Sequence, residues 1–401
     1  MNKKLMAVAV AGVFAAPAAF AQVTVSGKLG IQLTNMSISN LNAARVAGAN
    51  SSTMILNDNA SIIRIGARES LGGGLEAFGQ YEIRPNLDGS NTGVTTSLPV
   101  GSTTGVSYIG LRSNSWGQVR AGTMATWCEG LSSQGGYGLT TDASQHYSLS
   151  GMSCYVMTGQ TTGTAAAYTG STTSFSSSRQ PNVIMYETPK MGGFSAQLGW
   201  SSSAMNNVDN DLNLVGRKGR AWYVMPAYDA GIVKFGYALA DIKDESTPAA
   251  NTGALDLKAH KLYAQFSLAG IEFAPAWIKV TANQGIAAGG VAAGTKVVDV
   301  RKWYLPIRYK AGNNVFGFLY MKNNDDRVQV GDQSAKQTAL SYNYLLSNRT
   351  NIGVSWIQLK NGSEAAYDIT SLTSNAYGAA GGSLLRGEKM SVIALHLNHT
   401  F

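Results

Sequence analysis

From Val23 onward, apolar and polar residues trade places at every second position over short segments, which is the period of a half-buried β-strand. The last segment shows it most clearly. Ser391, Ile393, Leu395, Leu397, His399 and Phe401 fall on one face, mostly apolar and ending in an aromatic. Met390, Val392, Ala394, His396, Asn398 and Thr400 fall on the other, which turns polar towards its end. Read along the chain, the alternation predicts strands over 23–36, 61–69, 75–84, 106–113, 117–123, 182–189, 194–202, 222–228, 232–242, 259–267, 271–281, 302–310, 315–323, 336–345, 350–360 and 389–401. Tight connections carrying Gly, Asn and Asp, which tolerate positive φ, alternate with long Ser/Thr/Asn-rich ones. The longest irregular stretch is 124–181. A soluble sandwich also alternates. An even number of strands with this loop asymmetry instead predicts an all-β fold, a 16-stranded antiparallel transmembrane β-barrel with short periplasmic turns and long extracellular loops. The long loop 124–181 can then fold into the lumen and narrow it. Phe401 would stand in the aromatic girdle and act as an assembly signal.

The front of the chain fits that destination. Lys3 and Lys4 precede an apolar run over 5–14, and Ala19-Phe20-Ala21 supplies a small-x-small cleavage pattern. This predicts a secretory signal peptide over 1–21 and a barrel over 22–401. The apolar core is too short for a membrane anchor, and no later apolar run reaches the roughly 18 residues of a membrane helix. Cleavage removes two lysines and no acid, so the net charge of +8 becomes +6. An exported chain rarely meets nucleic acid, and its basic residues stand singly in strand-like segments. A cation-lined lumen is the better reading. In an oxidising compartment Cys128 and Cys154 can pair. The bridge would close a loop of about 27 residues and contribute about 3 kcal/mol. Two unpaired thiols are the alternative.

Charges within the alternation suggest what the inner face does. Arg64, Gly66 and Arg68 share a face, as do Glu76, Gln80, Glu82 and Arg84. So do Tyr108 and Arg112, Gln118 and Arg120, and Lys302, Tyr304, Arg308 and Lys310. Charge on a lipid face is costly, so these faces should look into the lumen. Arg64, Arg84 and Arg120, with Arg308 as a further member, would form a basic wall of the kind that favours anions. Glu82 and Glu76 can neutralise part of it. Glu129 and Asp142, in the loop over 124–181, either face that wall or are solvated loop acids.

Several stretches resemble one family. Ser61-Ile62-Ile63-Arg64-Ile65-Gly66, with Glu69-Ser70-Leu71-Gly72-Gly73-Gly74-Leu75-Glu76-Ala77 and Gln80-Tyr81-Glu82, is similar to a conserved block of Gram-negative trimeric porins of the beta-proteobacterial type. Tyr108-Ile109-Gly110-Leu111 with Trp116-Gly117-Gln118-Val119 resembles their next hairpin. Ser347-Asn348-Arg349-Thr350 resembles a later turn, and Leu397, His399 and Phe401 resemble their ending. The resemblance implies a homotrimer in the outer membrane, each chain a water-filled pore for small hydrophilic solutes. Departures fall near the expected constriction. Gly122-Thr123 replaces a Gly-Arg pair, the long third loop lacks the acidic-aromatic motif, and Asn398 and Thr400 stand where arginines often flank the final histidine.

The expected partners are therefore outer-membrane lipid, further copies of the chain and small solutes, chiefly anions, with no cofactor, no metal and no nucleic acid. His396 and His399 are three apart on a strand, so they face opposite ways and cannot chelate together. Ser391 and His399 share a face, but it should meet lipid, and no phosphate-binding or dinucleotide fingerprint is present. Passive diffusion without catalysis is the expected activity. A substrate-selective channel, or a non-conducting barrel serving as adhesin or envelope anchor, are the alternatives.

Overall fold

The computed structural model describes residues 22–43, 52–85, 87, 105–127, 179–202, 219–244, 255–284, 292–326, 331–367, 369 and 384–401. The expected signal peptide, Cys128, Cys154, Glu129, Asp142 and nearly all of the longest loop lie outside the described residues.

The strands are β1 (Gln22–Ser39), β2 (Ser52–Asp58 and Ile62–Gly72), β3 (Leu75–Ile83), β4 (Ser107–Ser113), β5 (Gly117–Ala125), β6 (Arg179–Glu187), β7 (Phe194–Ser201) and β8 (Gly219–Asp229). They continue as β9 (Val233–Asp244), β10 (Leu255–Leu268), β11 (Ile271–Phe273 and Ala276–Gln284), β12 (Lys296–Ala311), β13 (Asn314–Asp325), β14 (Ala335–Leu345), β15 (Thr350–Asn361) and β16 (Lys389–Thr400). Each pairs antiparallel with its neighbours, and β1 pairs with β16 from Lys28↔Thr400 to Ser39↔Lys389. The sheet is thus a closed sixteen-stranded barrel. Beyond the last strand, Gly27 and Phe401 exchange backbone hydrogen bonds of 2.9 and 3.1 Å. The terminal aromatic therefore completes the seam, and Gly27 is needed there because a side chain would strike its ring and the Ile62 carbonyl.

Two strands are made of two segments for different reasons. In β2 the register with β1 runs from Ile31↔Asp58 to Lys28↔Ile62, so three residues of β2 face two of β1. The surplus residue is a bulge at Ala60, which takes φ 53°. Inward positions are therefore odd-numbered before it (Thr53, Ile55, Asn57) and even-numbered after it (Ile62, Arg64, Gly66, Arg68). The sequence alternation breaks there, and this is why 52–58 reads as loop. In β11 the register with β10 runs on unchanged across the break, but Pro275 has no N–H to give, and the ladder continues through its carbonyl to Ala264 at 3.0 Å. The seven tight turns lie at one end of the barrel. Gly72, Gly73 and Gly74 all have positive φ, and a Cβ on any of them would meet nothing, so backbone conformation rather than space demands glycine.

The outer face is an apolar belt. It includes Val23, Val25, Leu33, Leu56, Ile65, Ile109, Trp222, Leu262 and Leu395, all exposed. Such a surface on a water-soluble protein would aggregate, whereas in a bilayer it meets its own kind. Aromatic rings bound it towards the tight turns, in chains such as Phe194–Tyr228–Phe235 (4.4 and 5.2 Å between centres) and Tyr309–Phe316–Tyr342 (6.4 and 5.3 Å). Farther along the strands Trp200 faces Trp222, and Trp277 lies opposite Trp303. These are the interfacial girdles of a membrane barrel.

Candidate pore lining

The residues assigned to the lumen from alternation point inward. Arg64 on β2 lies directly opposite Glu82 on β3, and its Nε donates to Glu82 Oε2 at 3.0 Å. Arg84 follows the end of β3 and donates from Nη2 to Glu82 Oε1 at 2.6 Å. The Glu82 side chain is 1% exposed, whereas Arg64 keeps 43% of its surface open. One buried carboxylate thus holds two guanidinium groups and leaves a positive surplus facing the lumen.

Three inward rows nearer the tight turns, Arg112 on β4 pairs with Glu76 at 2.6 Å and stacks over Phe78, 5.1 Å from the ring centre. Arg120 on β5 lies over Tyr108 at 5.3 Å and donates from Nη2 to Glu187 Oε2 at 3.1 Å. Gln118 and Gln197 also donate to that oxygen, at 2.7 and 2.9 Å. The stem of Arg120 has room because the inward neighbour is Gly110, where a Cβ would sit 3.0 Å from Arg120 Cγ. Arg68 and Lys28 also point inward on β2 and β1. Five arginines and one lysine on β1–β5 and at the end of β3 thus face the carboxylates Glu76, Glu82 and Glu187 among the described residues. The ion pairing thins this wall without cancelling it.

Arg308 does not belong to it. It is inward on β12, paired with Glu272 at 2.8 Å, and is separated from β2 by β13, β14, β15, β16 and β1. Sequence reasoning missed the partners Glu187 and Glu272. Their strands are remote in sequence from Arg120 and Arg308, and only the register brings them together. Near the closure, His396 is buried and inward, its Nε2 2.6 Å from Asn343 Oδ1 across Gly353. His399 is outward, 2.9 Å from the Thr350 hydroxyl, so the two histidines do lie on opposite faces.

A closed antiparallel barrel with an apolar outer belt and a charged interior is a membrane channel in class. A model of the Gram-negative porin family matches residues 7–363, and the chain belongs to that family. Among solved structures it is similar to an anion-selective porin from Comamonas acidovorans, with 21% identity and a TM-score of 0.69 over 95% of this chain and 100% of the other. It is also similar to OmpT of Vibrio cholerae in its trimer form (11% identity, TM-score 0.59, 95% and 99% covered) and to Salmonella typhi OmpF in complex with daunomycin (13%, 0.58, 94% and 97%). At these identities the likeness concerns the fold. No curated protein matches the sequence. Family and fold together define an outer-membrane porin.

Proposed function

We propose that this porin is an open channel for passive diffusion of small hydrophilic solutes and ions, and that it prefers anions. The observation that carries the reading is the sharing of Glu82 by Arg64 and Arg84, which sets two positive charges against one negative on a wall that also holds Arg68, Arg112 and Arg120. Fixed cations raise the local concentration of anions and lower that of cations in a water-filled passage. The chain acts as a homotrimer after removal of residues 1–21. Its long loop after β5, with Glu129 and Asp142 and a bridge between Cys128 and Cys154, folds towards the wall and narrows the passage.

Single-channel recording in a planar bilayer under a KCl gradient tests this. Conductance in groups of three steps, with a reversal potential on the chloride side, is the expected result. Arg64→Ala should move the reversal potential towards zero. A potassium-side potential in the unaltered protein would mean that loop acids dominate the field, and folded protein with no conductance would favour a structural or adhesive barrel.

A further inference from the structure

The outer face of β13–β16 carries a feature that a channel does not need. Lys322 lies directly opposite Lys336, Lys336 opposite Lys360, and Lys360 opposite Lys389. All four continue the outward rows of Phe318, Leu340, Val354 and Ile393 on their respective strands. Each stands within a few residues of the strand end away from the tight turns. Lys336 and Lys360 are exposed, and Lys322 and Lys389 are half-buried. With strands about 4.8 Å apart, the ladder spans about 15 Å. Like charges directly opposite one another on a sheet are destabilising, so the arrangement has a cost to the folded state.

Elsewhere on the rim the chain supplies acids for such cations. On β11–β13 the outward Lys279 and Arg301 bind Asp326 at 2.6 and 2.7 Å, and Lys279 and Lys296 bind Asp299. No ion pair is made by any of the four ladder lysines among the described residues. Asp332, in the loop before β14, lies near enough to feel Lys322 and Lys336, but its carboxylate caps the Ser334 N–H at 2.9 Å.

The level of the ladder in the membrane decides what its partner is. Towards the tight turns comes one polar row, Tyr320, Thr338, Gln358 and Ser391. Next comes the apolar row Phe318, Leu340, Trp356 and Ile393. The lysines therefore stand just beyond the hydrocarbon belt, where flexible stems carry ammonium groups to the head-group layer. We propose that this lysine ladder binds phosphate-bearing lipid head groups of the leaflet at the long-loop end of the barrel, with the acyl chains on the apolar row below. A phosphate bridging two neighbouring lysines occupies half the ladder, so a lipid with two phosphates fits best.

The test uses the folded full-length protein in zwitterionic detergent. Bound lipid is counted by native mass spectrometry after addition of lipid A, which has two phosphates, of its monophosphoryl form, or of phosphatidylcholine. Lipid A should be retained most, the monophosphoryl form less and phosphatidylcholine not at all, and retention should fall on raising NaCl from 0.1 to 0.5 M. K322Q/K336Q/K360Q/K389Q should lower lipid A affinity at least tenfold, whereas K243Q/K258Q, outward on β9 and β10, should leave it unchanged. Equal loss in both variants, or none in the first, overturns the proposal. Lysine acylation of the unaltered protein gives an independent readout. Lipid A should protect the four lysines and millimolar inorganic phosphate should not. Protection already present without lipid would mean that a second copy covers this face, which also overturns the proposal.

Discussion

Glu82 shows how far one residue sets the character of the lumen. It is buried, it receives Arg64 and Arg84 on its two oxygens, and its charge is the one carboxylate those two guanidinium groups share. Glu82→Gln keeps the shape and removes the charge. The reversal potential in a KCl gradient should then shift further towards chloride, because the wall gains one net positive charge. The two arginines would repel each other beside a neutral amide, and stability should fall by about 2 kcal/mol, read as a lower denaturation midpoint. A shift towards potassium would mean that Arg64 and Arg84 swing out of the lumen once released. The arginines were legible in the sequence because alternation along a strand is local. Their partners were legible only in part. Glu82 lies on the adjoining strand of a tight hairpin, where register follows from the turn, but Glu187 reaches Arg120 across the longest loop. No pattern within either segment reports that pairing.

At the scale of elements, the hairpins were readable and the far ends of strands were not. Tight turns announce themselves by glycine and asparagine, and strands next to them alternate cleanly. Away from the turns, alternation blurs where the strand leaves the hydrocarbon belt and the outward residues become polar, as on β10 and β12, which begin earlier than their pattern suggests. The bulge at Ala60 is the sharper case, because it inverts the phase of β2 within one strand. Deleting Ala60 forces one segment to turn over. Either Met54 and Leu56 enter the lumen or Arg64 and Arg68 meet lipid, at about 2–4 kcal/mol for each charge at mid-membrane depth. The expected result is loss of the compact, heat-modifiable form on an unheated detergent gel. Persistence of that form with unchanged selectivity would show that the bulge relocates along the strand and does not fix the inward face of Arg64.

For the whole molecule, the question is whether selectivity comes from a diffuse field or from a discrete site. The described wall carries its surplus over several strands and layers, from Arg64 and Arg84 down to Arg112 and Arg120. Arg112 and Arg120 are each held by a carboxylate of their own, whereas Arg64 and Arg84 share Glu82. Such a wall acts on ions through the water of the passage, over a distance set by screening. That distance is about 10 Å at 0.1 M salt and about 3 Å at 1 M. A sixteen-stranded barrel encloses an aqueous space wider than the shorter length. The preference for chloride over potassium should therefore be marked at 0.1 M KCl and fade towards none at 1 M, with conductance rising almost in proportion to salt at the upper end. If reversal potentials give the same selectivity at both concentrations, ions must instead shed water and touch the arginines one at a time. In that case single-channel conductance should saturate with salt, and competing anions should block in the order of their affinity for guanidinium.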